Sequence, residues 1–94
     1  MLFLKDAQYL QDYKIKVKFT DDKVGIVDLQ NDLHGTVFEP LKDKKLFSTV
    51  KFDKELDTIS WDNGADLAPE YLYFKSFRNE PSLQSKFKEW GYIK

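Results

Sequence analysis

From Lys14 to Leu29 the chain reads Lys-Ile-Lys-Val-Lys-Phe-Thr-Asp-Asp-Lys-Val-Gly-Ile-Val-Asp-Leu, which is the pattern of a β-hairpin. Ile15, Val17 and Phe19 alternate with Lys14, Lys16 and Lys18, the period of two that marks a half-buried strand. Thr20-Asp21-Asp22-Lys23 is a polar break, and Val24-Gly25-Ile26-Val27-Asp28-Leu29 resumes the β-branched character. With Asp21-Asp22 as a two-residue loop, Phe19 lies opposite Val24 and Val17 opposite Ile26. The apolar faces then coincide, so register and pattern agree. The same register sets Val27 across from Lys16 and Leu29 across from Lys14.

Other segments add to this hairpin. Residues 4–10 read as a strand that Gln11-Asp12-Tyr13 turns into the hairpin. Residues 30–36 are turn-forming, and Pro40 makes 37–41 an irregular covering piece rather than a central strand. Asp43 is a plausible N-cap for a helix from Lys44 to Thr49, whose Leu46 and Phe47, with Val50, would dock on the sheet. Residues 50–53 and 58–61 read as two further strands joined by the charged turn Lys54-Glu55-Leu56-Asp57. In Ile59-Ser60-Trp61-Asp62-Asn63-Gly64-Ala65-Asp66-Leu67-Ala68-Pro69 an apolar run ends in a Trp, and Asn63-Gly64 supplies the positive φ angles of a tight turn. Pro69 then suits the first position of a helix, with Glu70 on the favourable side of its dipole. Ala68 is a poor cap, so Asp66 or a water must satisfy the first N–H groups.

After Phe74 the character changes. Residues 75–80 look like a helix end and linker, and a second helix runs from Pro81 to before Gly91. Its Leu83, Phe87 and Trp90 make one apolar stripe. A helix this short is not stable alone, so it docks on its own domain, on a second copy or on a partner. The expected fold is α+β: a small curved antiparallel sheet of about five strands covered by short helices, plus a C-terminal helix. The expected division is a domain over residues 1–78 and a helical extension over residues 79–94.

Composition narrows the function. With 94 residues the chain is one domain, and a 16% aromatic fraction means that a few large rings dominate its core. Cys is absent, which removes disulfides, thiolate metal sites and thiol nucleophiles. Fifteen basic and 16 acidic residues leave a net charge of −1, without the concentrated positive field of a non-specific nucleic-acid binder. No run approaches the ~20 apolar residues that span a bilayer. Met1-Leu2-Phe3-Leu4-Lys5-Asp6 lacks the basic start and long apolar block of a signal peptide, so a soluble cytoplasmic protein is expected.

Four groups of residues invite chemistry. His34, the sole histidine, would need a nucleophile such as Ser48, Ser60 or Ser76 and an orienting carboxylate; nothing in the spacing gathers them, and no enzymatic activity is expected. Asp57, Asp62, Asp66 and Glu70 offer hard oxygen ligands, but Asp62-Asn63-Gly64-Ala65-Asp66 only faintly echoes a calcium loop and lacks its terminal bidentate Glu. Asp62 and Asp66 are assigned instead to bonds with nearby N–H groups. No metal or cofactor is expected. Lys14, Lys16 and Lys18 form a basic stripe, a candidate nucleic-acid face, although lysines commonly protect sheets from aggregation. Leu83, Phe87 and Trp90 are the candidate partner-binding residues, for a protein partner or a homodimer. Trp61, Tyr71, Leu72, Tyr73 and Phe74 are assigned to the core.

Four blocks together resemble the bacterial domain-of-unknown-function 2442 family. They are Tyr9 to Phe19, Val27-Asp28-Leu29, Val37-Phe38-Glu39-Pro40-Leu41-Lys42-Asp43, and Ile59 to Leu67, in matching order and spacing over residues 4–73. The resemblance implies a small α+β fold with a curved antiparallel sheet and no established enzymatic activity. Some members carry an added helix-turn-helix domain, which implies DNA-binding regulation. Others lie beside a gene for another small family of unknown function, number 4160, a pairing proposed as toxin–antitoxin. The family's hairpin usually has Gly where Asp22 stands, Pro where Lys44 stands and often a capping Asp where Ala68 stands. Residues 74–94 fall outside the resemblance and are too few for a helix-turn-helix domain. The function expected is a small non-enzymatic protein-interaction module. A nucleic-acid-linked regulator is the alternative.

Overall fold

A computed structural model describes all residues, 1–94. Strands β1 (Leu4–Gln11), β2 (Lys14–Phe19) and β3 (Val24–Asp28) form an antiparallel sheet in that order. Strands β4 (Lys51–Asp53) and β5 (Thr58–Ser60) form a second, two-stranded sheet. The five expected strands are therefore present, but divided between two sheets. Bulges interrupt β1 between Leu4 and Asp6 and between Tyr9 and Gln11, and such bulges bend a strand and disturb its ladder. Near the first bulge, the Leu4 N–H donates to the Asp57 carbonyl at 3.0 Å, linking β1 to the β4–β5 turn.

The hairpin forms, one residue out of the expected register. Lys16 pairs with Ile26, Val17 with Gly25 and Ile15 with Val27. The loop holds three residues, Thr20-Asp21-Asp22, closed by Phe19 N–H donating to the Lys23 carbonyl at 2.9 Å. Asp22 takes φ +71°, the left-handed bulge position of a type I turn in a three-residue hairpin. A slip of one residue exchanges the faces of a strand. Val27 and Leu29 are thus fully buried, while Val24 and Ile26 are 46% and 59% exposed.

The remaining elements close over the inner face of the sheet. A 3-10 turn (Glu39–Lys42) and helix α1 (Lys44–Phe47) follow the loop after β3. Asp43 caps α1, its side chain accepting from the Lys45 N–H at 2.9 Å. The helix ends earlier than expected, with Ser48 and Thr49 hydroxyls donating to the Lys45 and Leu46 carbonyls. Helix α2 (Pro69–Phe77) starts at Pro69 without a side-chain cap. It crosses β3 so closely that a Cβ on Gly25 would lie 2.4 Å from Ser76 Cβ. Only glycine leaves that space. A 3-10 turn (Pro81–Leu83) and helix α3 (Gln84–Glu89) end the ordered elements, and no helix is long and apolar enough to cross a membrane.

Seventeen buried residues form one core cluster, and it includes Leu83 and Phe87. Phe74 lies 5.1 Å from Phe87 and is stacked on Tyr92 at 5.0 Å, between ring centroids. Residues 79–94 are thus packed on the rest of the chain rather than standing free. Leu83 is 8% and Phe87 0% exposed.

Candidate functional site

The outer face of the three-stranded sheet carries side chains that no other element covers. Alternation along β2 sends Ile15, Val17 and Phe19 into the core, all 0% exposed, and leaves the lysines on the opposite side. Lys18 stands between Asp6 of β1 and Val24 of β3, Lys16 between Gln8 and Ile26, and Lys14 between Gln11 and Asp28. Lys16 and Lys18 are exposed and Lys14 is half-buried. None of the three has an ion-pair partner within 4.0 Å. A shallow depression of about 220 Å³ on this face is lined by Asp6, Gln8, Lys16, Lys18 and Val24. The expected neighbours of Lys16 and Lys14, Val27 and Leu29, are in the core instead, because of the register. The face is apolar along β3 through Val24 and Ile26.

The other candidates are dispersed. His34 is exposed, its Nε2 lying 2.8 Å from the Asn31 carbonyl oxygen. The Ser48, Ser60 and Ser76 hydroxyls donate to the Lys45 carbonyl, Asp53 Oδ2 and the Leu72 carbonyl respectively, none of them to His34. Asp62 is 2.7 Å from the Lys51 ammonium rather than bonded to an N–H group, and the pairing raises the Lys51 pKa from its usual value. Asp66 is joined to Ser60 by a backbone bridge.

The bond to a nearby N–H group expected of Asp62 is made by its neighbour Asn63. Its Oδ1 accepts from the Ala65 N–H at 3.1 Å while its Nδ2 donates to the Val37 carbonyl at 2.9 Å. Trp61 is 2% exposed, and its Nε1 donates to the Phe47 carbonyl at 2.9 Å. The Trp-Asp-Asn-Gly segment therefore clasps α1 and the covering segment to β5. Trp61, Leu72, Tyr73 and Phe74 lie in the core as expected, with Tyr71 half-buried.

One polar cluster has no signature in the sequence. The Tyr71 hydroxyl donates to Asp32 Oδ1, and the Lys75 ammonium is 3.0 Å from Asp32 Oδ2. Tyr71 and Lys75 are four apart on α2, so they share a face. Thirty-nine residues separate Asp32 from Tyr71, which hides the contact from any local pattern. The cluster ties the loop after β3 to α2. The Asp32 and Lys75 side chains are 14% and 21% exposed, and removing one member strands the other's charge. Asp32→Ala is expected to lower the unfolding free energy by about 2 kcal/mol, below the range for a fully buried pair because water reaches both groups. Urea unfolding of the variant and the wild type measures it.

Burial, then the hydrogen bond and charge of Asp32, push the Tyr71 pKa up from 10.0 to about 12. Burial, then the bond to Asp21, does the same for Tyr73, also to about 12. A folded-state pKa above the unfolded one means that the fold favours the neutral phenol. That stabilisation is complete below about pH 10 and is lost as pH rises toward about 12. The urea midpoint is expected to fall steadily over that window, and less steeply in Tyr71→Phe.

A profile of the family described as "Protein of unknown function (DUF2442)" matches residues 4–78. No curated protein matches the sequence. A crystal structure of a candidate DNA-binding protein from Nitrosomonas europaea ATCC 19718 has a similar fold, with a TM-score of 0.74 at 14% identity. The likeness covers 100% of this chain and 63% of that one. At that identity it speaks to the fold alone.

Proposed function

The chain belongs to the DUF2442 family of proteins of unknown function, and from that premise we propose that it is a non-enzymatic protein-binding module. Its contact surface is the outer face of the three-stranded sheet, centred on Lys16, Lys18, Val24 and Ile26. One observation carries this reading: Leu83 and Phe87 of the C-terminal stripe are inside the core, while two β-branched side chains of β3 stand in solvent. Of the candidate partner-binding residues, Leu83 and Phe87 would have to leave the core to meet a partner. Trp90 is half-buried, its ring 6.0 Å from that of Tyr73. The two-gene pairing implied by the resemblance would make the neighbouring gene's product the first partner to test. A photo-crosslinking residue placed at position 26 in the producing cell is expected to give an adduct. The same residue at position 88, on the exposed side of α3, is expected to give none. Adducts at 88 alone would return the function to the helix.

A second reading is nucleic-acid binding through Lys14, Lys16 and Lys18, favoured by the absence of ion-pair partners for the row. The Nitrosomonas protein's description points the same way, although it belongs to a longer chain. Two features weigh against it. Lys18 and Lys14 each stand directly across from a carboxylate, Asp6 and Asp28, and the paired positions of this face carry no aromatic ring on which a base could stack. Fluorescence anisotropy at about 50 mM salt separates the readings, since phosphate-driven binding is strongest there and weakens steeply as salt rises. Binding that Lys16→Gln and Lys18→Gln together abolish would establish the second reading.

A further inference from the structure

The two edges of the three-stranded sheet are treated differently. The edge strand β1 carries two bulges, and the β4–β5 turn bonds to its start. The other edge, β3, pairs with β2 without a register shift and contains no proline. Unprotected edges of this kind pair with other strands. The bonds Phe19 N–H to Lys23 carbonyl and Leu29 N–H to Tyr13 carbonyl set the alternation of the ladder. Between them the main-chain groups of Val24, Ile26 and Asp28 point away from β2. No hydrogen bond outside the regular ladders reaches a main-chain group of Val24 or Ile26. The side chains of the same two residues are the exposed apolar ones.

We infer that β3 pairs antiparallel with β3 of a second copy of this chain, about a two-fold axis at Ile26. The inference rests on the reading of the outer sheet face as the binding surface, which the pairing would extend across two copies. The edge is complementary to itself. With Ile26 on the axis, the outward main-chain groups of Val24, Ile26 and Asp28 meet those of Asp28, Ile26 and Val24 in the second copy, making about six hydrogen bonds. Ile26 faces its own counterpart, apolar against apolar. Each Asp28 falls opposite a Val24, in the same cross-sheet row as Lys18 of the other copy, because Lys18 pairs with Val24. No like charges oppose each other. Helix α2 packs over the inner face at Gly25, so it does not cover the outer face that the two sheets would share.

Sedimentation equilibrium of the full chain, from about 1 μM to about 1 mM, tests the pairing over the range of a weak dimer. The average mass is expected to rise from 11.1 kDa toward twice that value. Ile26→Lys and Ile26→Glu each set like charges on the axis and are expected to weaken the dimer at least tenfold. Both should keep the wild-type thermal transition, because the side chain is 59% exposed. An equimolar mixture of the two is expected to dimerise again. In the wild type, the Val24 and Ile26 amides should gain protection from hydrogen exchange as concentration rises. A monomer throughout the range, a dimer indifferent to both substitutions, or a mixture that fails to recover would each overturn the pairing. A monomer that still forms an adduct with a different protein through position 26 would sink the pairing and leave the binding face standing.

Discussion

Phe87→Ala is expected to lower the unfolding free energy by about 3–5 kcal/mol, the range for truncating a fully buried phenylalanine. The ring is 0% exposed, 5.1 Å from Phe74 and 6.4 Å from Tyr73, between centroids. Its removal leaves a cavity bounded by aromatic rings whose positions are set by α2, so little collapse can fill it. Helix α3 has only six residues and no stability apart from its docking. Loss of its anchor is therefore expected to release Trp90 and Tyr92 as well. A domain with a total stability of about 5–15 kcal/mol would be brought near its limit. Urea unfolding gives the free energy, and Trp fluorescence reports the undocking. A loss under about 1 kcal/mol would mean that the stripe is not part of the core.

Trp61→Ala is expected to cost a similar amount, about 3–5 kcal/mol, for a different combination of reasons. The indole is 2% exposed and tilted against Phe47 at 5.5 Å. Its Nε1–H also serves the Phe47 carbonyl at the end of α1, a helix of four residues. Trp61→Phe keeps most of the apolar area and loses this bond with a small part of the ring volume, so about 1–2 kcal/mol is expected from it. The ratio between the two variants separates packing from hydrogen bonding at the clasp. Equal losses would show that the bond to α1 dominates.

Much of the architecture was legible because it rests on short-range chemistry. The alternation Lys14 to Phe19 gave β2, the Asp43 side chain gave the start of α1, and Pro69 gave the start of α2. The hairpin register was not legible from its residues. Val24, Ile26, Val27 and Leu29 put apolar groups on both faces of β3, so either register satisfied the pattern. The resemblance carries a signal: it implies a hairpin that usually has Gly where Asp22 stands, and a glycine there marks the positive φ that a three-residue loop requires. Asp22 adopts that conformation at φ +71° and is held from outside by Lys5 at 2.7 Å. Asp22→Gly is accordingly expected to raise the thermal midpoint slightly.

The candidate site followed the register. The expected register puts Val27 and Leu29 on the lysine face and Val24 and Ile26 inward, the reverse of what the fold does. The exposed pair Val24 and Ile26 is therefore hidden from the sequence, and the C-terminal stripe stands out as the most prominent unpartnered surface. A stripe of three apolar residues on a short helix is the same in sequence whether it docks in cis or in trans. Only the aromatic floor supplied by Tyr73 and Phe74 distinguishes them, and those residues lie at least nine positions away on another helix. Asp32, Tyr71 and Lys75 were hidden for the same reason of distance along the chain.

Native-state hydrogen exchange on the full chain, at a concentration of about 1 μM where association is weak, tests the account most directly. The Trp90 and Tyr92 amides donate to the Lys86 and Phe87 carbonyls, and the account expects them to exchange only through global unfolding. The Val24 and Ile26 amides, on the open edge of β3, are expected to exchange at rates close to those of a free peptide. Rapid exchange at Trp90 and Tyr92 together with strong protection at Val24 and Ile26 would contradict it, placing the free surface on the C-terminal helix.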